Sequence, residues 1–559
     1  MAGVAKPSYT PVKRSVGELL AMTSPAIIVP DWQRNYSWRT EHVETLWNDV
    51  VRFSDRSGDT LTDEYFFGSV VLVNGADKRL LLLDGQQRLA TSTILLSAIR
   101  DTFAALGDKT ADFIQSNWLA GYDEIKEDDI QKLRLNIYDR DFFKRLISAP
   151  RSAGFIEPKA QYASHNLISS ARSFFLRAIS ERVGRLDETA ARKWLKRIVA
   201  VLTDHFTVIA ATSDNEDSAA EVFETLNDRG IGLSTPDLLR NLVIRRASAV
   251  QRDDVVSRWE SVIAFETDTE IKAFLRHYWV SKHGDVKSQS LYREVKSVIE
   301  REDISSLALS TELSDAATLY RRIKAADAET EEASDILAAI STIGAGATIL
   351  YPAILSILET LEGESVETAL TALLNVYTRD GIIGGIENSV LENRFHRAGR
   401  NLRSHASVAQ FCRELAVGAL GDDEVRQRFN RLVVTQNGPR RFLLHRVEMA
   451  HRATDELRVN PPSKVHVEHI YPQKPMEGQK WTTHDRVVNR IGNLTLLDKR
   501  INISVRNSGF PVKRPHYAKS ELKITQALTA FEEWNEDQIA VRQDGFAAMA
   551  PTLWPILLP

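Results

Sequence analysis

Apolar and polar positions divide the chain into three stretches of different rhythm. Over residues 1–250, short apolar runs alternate with longer segments of helical period, so strands and helices are mixed. Ala26 to Val29, Phe66 to Val73, Leu80 to Leu83 and Phe206 to Ala211 read as strands. Helices are predicted at about 40–54, 90–106, 160–183, 189–203, 217–228 and 236–248. Leu233-Ser234-Thr235-Pro236-Asp237 is a helix start, a hydroxyl cap followed by proline in the first turn. Residues 251–460 keep the helical period nearly throughout, broken by acidic loops such as Asp327 to Glu332. After Pro461-Pro462, read as a linker, residues 461–559 show a compact strand–loop–strand–helix pattern. Val465 to His469 ends the first strand, Arg490 to Leu497 forms the second, and Asn502 falls early on the next helix. The fold class is therefore α+β and multidomain, with no internal repeat.

Composition changes this picture little. With 43% apolar and 26% charged residues the chain builds cores rather than remaining disordered. Ile336 to Leu358 runs 23 residues without a charge, but Gly344, Gly346 and Pro352 interrupt it, which predicts two buried helices and no membrane span. The single cysteine, Cys412, excludes a disulfide within the chain and any cysteine-based zinc cluster, and reads as a buried helix residue. The first residues lack an apolar secretion segment, so a cytoplasmic protein is expected.

Charge is more telling. The net value is −4, yet Arg486 to Lys523 carries nine Lys and Arg against two acids, a local +7 on a body of −11. That suits a protein that grips phosphate at one place.

Two polar clusters carry candidate chemistry. In LLLLDGQQRLAT, a buried strand runs straight into Asp84, Gly85, Gln86, Gln87 and Arg88 before a helix. Such a strand-to-helix junction presents backbone N–H groups to an anion. Arg88 offers a fork of donors to phosphate and Gly85 lets backbone approach closely. In the C-terminal stretch, Glu468-His469, Asn493 and Asn502 form a set that suits a one-metal nuclease. An imidazole deprotonates water near neutral pH, and carboxylate and amide oxygens suit Mg²⁺. Singly, each of these residues reads as a surface pair, a cap or a turn.

The combination of VEHIYPQ, Trp481, NRIGNLTLL, Asn502 of RINIS and GFPVKRPHYAKS resembles the HNH (ββα-metal) nuclease domain at the C-terminus of GmrSD-type and SspE-type restriction proteins. The resemblance implies His469 as general base, Glu468 and Asn502 as metal ligands, Asn493 as the residue fixing the loop, and Lys513 and Tyr517 as phosphate contacts. Glu468 stands where the family often has Asp or His. DGQQRLAT, FFGSVVL, VPDWQRNYSWRTEHVETLWND and Ala219 to Asn241 resemble the N-terminal domain of the same proteins, whose core is ParB/sulfiredoxin-like. That resemblance implies nucleoside triphosphate binding and hydrolysis at Asp84 to Arg88, with GTP favoured. It also implies a DNA- or modification-sensing role for Gln33, Arg34 and Tyr36, with Trp32 and Trp38 as packing.

The reading that follows is an NTP-hydrolysing, modification-sensing DNA endonuclease of a bacterial defence system. It would use Mg²⁺ or another divalent cation and act on modified double-stranded DNA. Phosphorothioate linkages are favoured over glucosylated bases, and a homo-oligomer is left open. A nucleotide-gated DNA-binding regulator without cleavage and a nuclease acting on RNA are the alternatives.

Overall fold

A computed structural model describes residues 9–22, 26–31, 33–56, 61–75, 79–123, 128–148, 157–213, 235–248, 250–452 and 465–558. Trp32, the helix expected at 217–228, the Leu233-Ser234 cap and the Pro461-Pro462 linker lie outside these residues. The chain divides into two compact units, Met1–Ser248 and Ala249–Pro559.

The first unit is built on a mixed six-stranded sheet. Its strands are β1 (Tyr9–Ser15), β2 (Ile27–Ile28), β3 (Tyr65–Asn74), β4 (Leu80–Asp84), β7 (Leu133–Arg134) and β8 (Phe206–Ser213), with β5 (Ala120–Asp123) and β6 (Asp128–Gln131) paired separately. The sheet order is β1-β8-β3-β4-β2-β7. β3 runs parallel to β8 and antiparallel to β4, which is itself parallel to β2. Gly68 to Val73 are buried on both faces of β3, which is why they read as a continuous apolar run. The helix Gln86–Ala105 is buried on nearly every side, so it shows no amphipathic stripe. It begins before the position its apolar residues suggested. Gly85 caps it in the left-handed region at φ 94°, and a Cβ there would lie 2.8 Å from Val70 Cγ2. β1 and the helix Arg140–Ser148 were not anticipated.

In the second unit, helices run from Arg252–Val262 to Asn437–Ala450. The uncharged stretch forms two helices, as its glycines and proline indicated. Glu331–Ile343 ends at Gly344 with φ 89°, and Tyr351–Thr360 carries Pro352 in its first turn. Among the described residues no helix is long and apolar enough to cross a membrane. Cys412 is buried on the helix Val408–Ala416. β9 (Val465–His469) and β10 (Leu494–Asp498) pair antiparallel, with Leu494 opposite His469 and Thr495 opposite Glu468. Arg490 to Asn493 are not strand, contrary to the sequence reading: Ile491–Asn493 make a 3₁₀ turn. The reason is close packing, since a Cβ on Gly492 would sit 2.3 Å from the Ile539 carbonyl oxygen. The final helix, Glu536–Leu553, packs on Asp422–Phe429 and Asn437–Ala450, and Trp554 is buried between Phe429 and Phe442. The helices before the β9–β10 pair are thus continuous with its core.

Candidate active site

β9 carries Glu468 and His469 at its end because its apolar neighbours, Val465 and Ile470, anchor either side of them. Asn493 fixes the chain that follows. It is fully buried, and its Nδ2 donates to the carbonyls of Tyr471 and Val488, each at 3.0 Å. Its Oδ1 accepts from the Tyr471 amide at 2.8 Å and from Trp534 Nε1 at 3.0 Å. The segment 469–471 therefore cannot turn without breaking several buried hydrogen bonds.

His469 Nε2 donates to Asn489 Oδ1 at 3.3 Å. Arg440 Nη2 donates to the same oxygen at 2.7 Å and its Nε to the Val434 carbonyl at 2.6 Å, so the Asn489 amide has one orientation. With Nε2 carrying the proton, Nδ1 of His469 holds the free lone pair. Burial, the Arg440 guanidinium and Lys513 push the imidazole down to about 4, partly offset by the bond to Asn489. The ring is then neutral, and able to accept a proton, throughout the neutral range. Neither Asn489 nor Arg440 was singled out from the sequence. Asn489 opens the NRIGN motif, where its position was the available signal, whereas Arg440 lies in a helix with nothing to mark it.

This makes a pH prediction. If His469 is the base, as the resemblance implies, cleavage should stay level as pH falls through 6.5 and decline only near pH 4, where the imidazole takes up a proton. Single-turnover cleavage measured from pH 4 to 8 checks it, and a fall centred at 6.5 would contradict it. The same shift has a stability sign. The folded-state value lies below that of the unfolded chain, so protonation favours unfolding, and stability falls as pH drops from about 6.5 toward 4.

Glu468 is 6% exposed and faces inward. Lys513, from the helix Phe510–Tyr517, is fully buried with Nζ 2.6 Å from Glu468 Oε1. The same ammonium donates to the carbonyls of His469 at 2.7 Å and Ile470 at 3.3 Å. Tyr517, also fully buried, donates to Glu468 Oε1 at 3.5 Å. Burial drives Glu468 up and Lys513 down, and in each case the partner's charge opposes it. Lys513 and Tyr517, expected at phosphate, are thus placed behind the strand, where they hold Glu468 and the His469 backbone.

Asn502 lies half-buried on the helix Lys499–Val505, which packs against β9. Among the described residues no group of three His, Cys, Asp or Glu side chains could hold a metal ion. A divalent cation at this place would draw on one carboxylate, one amide oxygen, water and substrate phosphate. That donor set fits Mg²⁺, which sheds its waters reluctantly. Lys499, Arg500 and Arg506, on and just after the helix of Asn502, and Lys519 further along are exposed and make no salt bridge among the described residues. With Arg486 and Lys523 they form the exposed part of the basic stretch.

In the first unit the structure brings the two N-terminal motifs together. Gln33 Nε2 donates to the Leu83 carbonyl at 3.0 Å. Gln87 Oε1 accepts from the Ser37 amide at 2.8 Å, and its Nε2 donates to the Asn35 carbonyl at 3.2 Å. Tyr36 is buried on Thr91, its hydroxyl 2.9 Å from Oγ1, and its amide donates to Asp139 at 2.7 Å. Gln33, Tyr36 and Gln87 are thereby committed to the fold. Asp84 pairs with Arg88 at 3.3 Å, and burial raises its carboxyl against the pull of that guanidinium. Arg88 also donates to the Ser69 carbonyl.

Within these two motifs three buried donors have no partner among the described residues: Arg34 Nε, Gln86 Nε2 and Arg88 Nε. Arg34 and Gln86 line a cavity of about 10 Å³ with Tyr36, Asn136 and Asp139, room for one water. Arg34 additionally pairs with Asp237 at 3.4 Å, on the helix that follows the segment containing most of Ala219 to Asn241. Residues 219–234 of that segment lie outside the described residues.

Comparison with known families matches both units. The model of the GmrSD restriction endonuclease N-terminal domain covers residues 16–244, and that of the GmrSD restriction endonuclease C-terminal domain covers residues 421–549. The second match takes in the helix bearing Arg440 as well as the β9–β10 site. No curated protein sequence matches the chain. With both of the family's domains in order along most of its length, this chain belongs to the GmrSD family of restriction endonucleases.

Proposed function

We propose that this restriction endonuclease cuts modified DNA at the end of β9, with His469 as general base, and that a nucleoside triphosphate site around Arg88 controls the cut. The observation that carries the first part is the neutral imidazole of His469, locked by Asn489 with Nδ1 free. His469 Nδ1 takes the proton of a water as its oxygen bonds to phosphorus. The ester P–O bond breaks, and the leaving oxygen departs with the electron pair and is protonated by solvent. Asn489 and Arg440 hold the ring in the proton-accepting tautomer, and Asn493 fixes the backbone on which it stands. Glu468 and Asn502 would hold Mg²⁺ or a similar cation, Glu468 only once its carboxylate turns from Lys513 and Tyr517, and the cation when bound supplies Lewis acidity at the phosphate. The order β9, β10 and helix Lys499–Val505 supports the HNH reading, and the mixed sheet of the first unit supports the ParB/sulfiredoxin-like one.

Phosphate contact passes from Lys513 to the exposed cations. Arg500→Ser and Lys499→Ser are each expected to weaken binding similarly on all DNA sequences and to lower the salt slope of log K by about 1. Titrations at several salt concentrations measure it, and an unchanged slope would remove these residues from the interface.

The unpartnered donors of Arg34, Gln86 and Arg88 support an anion site at the DGQQR junction, for which GTP is the favoured triphosphate. Since the cavity takes one water, a phosphate enters there as these side chains swing outward. The DNA mark is a phosphorothioate linkage or a glucosylated base, the protein is cytoplasmic, and self-association of the chain is compatible with this scheme. Incubating the protein with Mg²⁺, GTP and paired plasmids that differ only in modification tests the proposal. Nicking of the modified plasmid with GTP hydrolysis supports it. DNA binding with no cleavage under any condition would favour the nucleotide-gated regulator.

A further inference from the structure

Directly beyond His469, Ile470, Tyr471 and Pro472 open onto a groove of about 500 Å³ that the catalytic scheme does not use. Its floor is aromatic: Tyr471 stacks on Trp481 at 3.8 Å and 7°, and Phe510 on Trp534 at 5.4 Å and 28°. Tyr471, Phe510 and Trp534 are buried, while Trp481 is the half-exposed member. The rim is polar, with Gln479, Lys480, Glu532 and Glu533 all exposed. We propose that this groove takes a nucleobase turned out of the DNA helix beside the cleavage site.

Size, charge and connection argue for that occupant. The volume lies within the range that holds a small planar ligand. Aromatic walls bind the face of any base, and the amide, ammonium and carboxylate groups of the rim can pair with its edge. Two carboxylates at the mouth oppose a phosphate there. Three further exposed cations, Lys499, Arg500 and Arg506, stand on Lys499–Val505 and just after it, where they can draw the backbone. Tyr471 and Trp534 both bond to Asn493 Oδ1, the side chain that fixes the segment bearing His469. Filling the groove thus bears on the same hydrogen bonds that set the catalytic loop, which couples reading of a base to cutting beside it. The proposal rests on the nuclease reading above.

The test uses full-length protein with His469→Ala, which leaves the DNA intact, and duplexes that are fully paired or carry a mismatch. Turning out a mismatched base costs less, so the mismatched duplex should bind about tenfold tighter or more. Trp481→Ala should erase that preference, and Trp481→Phe should keep it. Gly509→Leu provides a second route if Trp481→Ala fails to fold. Its Cβ would meet only Pro511 at 3.8 Å and Gln479 at 3.9 Å, and its side chain fills the groove without removing an aromatic. Equal binding of both duplexes, or a preference that survives both changes, overturns the proposal. Absence of DNA cleavage by the unaltered protein would instead overturn the nuclease reading itself.

Discussion

Lys513→Met is expected to destabilise the second unit by about 3–5 kcal/mol, the range for removing one partner of a buried ion pair. The ammonium is fully buried and contacts Glu468 and the carbonyls of His469 and Ile470. Methionine nearly matches the stem in length but leaves a carboxylate, held inside, without its counter-charge. The double change Lys513→Met with Glu468→Gln should recover much of the loss, because no buried charge is then left unpaired. Urea denaturation followed through a tryptophan signal of the second unit separates these outcomes. A loss below about 1 kcal/mol for the single change is what a solvent-facing lysine would give, and would contradict this placement.

His469→Ala carries the second large effect, on rate rather than stability. General-base catalysis accounts for roughly 10²–10⁴-fold in such reactions, and the single-turnover rate should fall by that factor. DNA affinity should hold, because His469 is not among the exposed cations that would meet the backbone. Asn489→Ala should produce a smaller fall with unchanged affinity, since the imidazole remains but loses its fixed tautomer. A rate loss in His469→Ala matched by an equal loss of binding would mark the residue as a contact and not as a base.

The sequence made the candidate site on β9 legible because its residues are local. Glu468, His469, Asn493 and Asn502 lie within a short span, and the strand ending in Glu-His and the helix bearing Asn502 fall where the pattern put them. The second strand was read too long, since Ile491–Asn493 turn around Gly492, and the final helix that forces the turn is distant in sequence. Lys513 shows the same limit more sharply. The family resemblance implied a phosphate contact for it, and the burial that redirects it comes from the fold of the whole unit. Arg440 acts from a helix that carries no motif, so its action on His469 through Asn489 could not be read from spacing.

In the first unit, DGQQR and the WQRNYSW segment were each picked out as ligand-binding. Their mutual hydrogen bonds, Gln33 to Leu83 and Gln87 to Asn35 and Ser37, required knowing that β4 lies beside that segment. What remains for a ligand is narrower than the motif: Arg34, Gln86 and Arg88.

One measurement reaches the central claim, that the β9 site cuts DNA under control from the Arg88 site. Plasmids with and without the modification are incubated with Mg²⁺ and GTP, and nicking and GTP hydrolysis are followed for wild type, His469→Ala and Arg88→Ala. The account predicts that modified DNA raises both activities in wild type. His469→Ala should lose nicking alone, and Arg88→Ala should lose GTP hydrolysis together with control of the cut. Nicking that persists in His469→Ala, or that keeps its dependence on modification and GTP in Arg88→Ala, would contradict it.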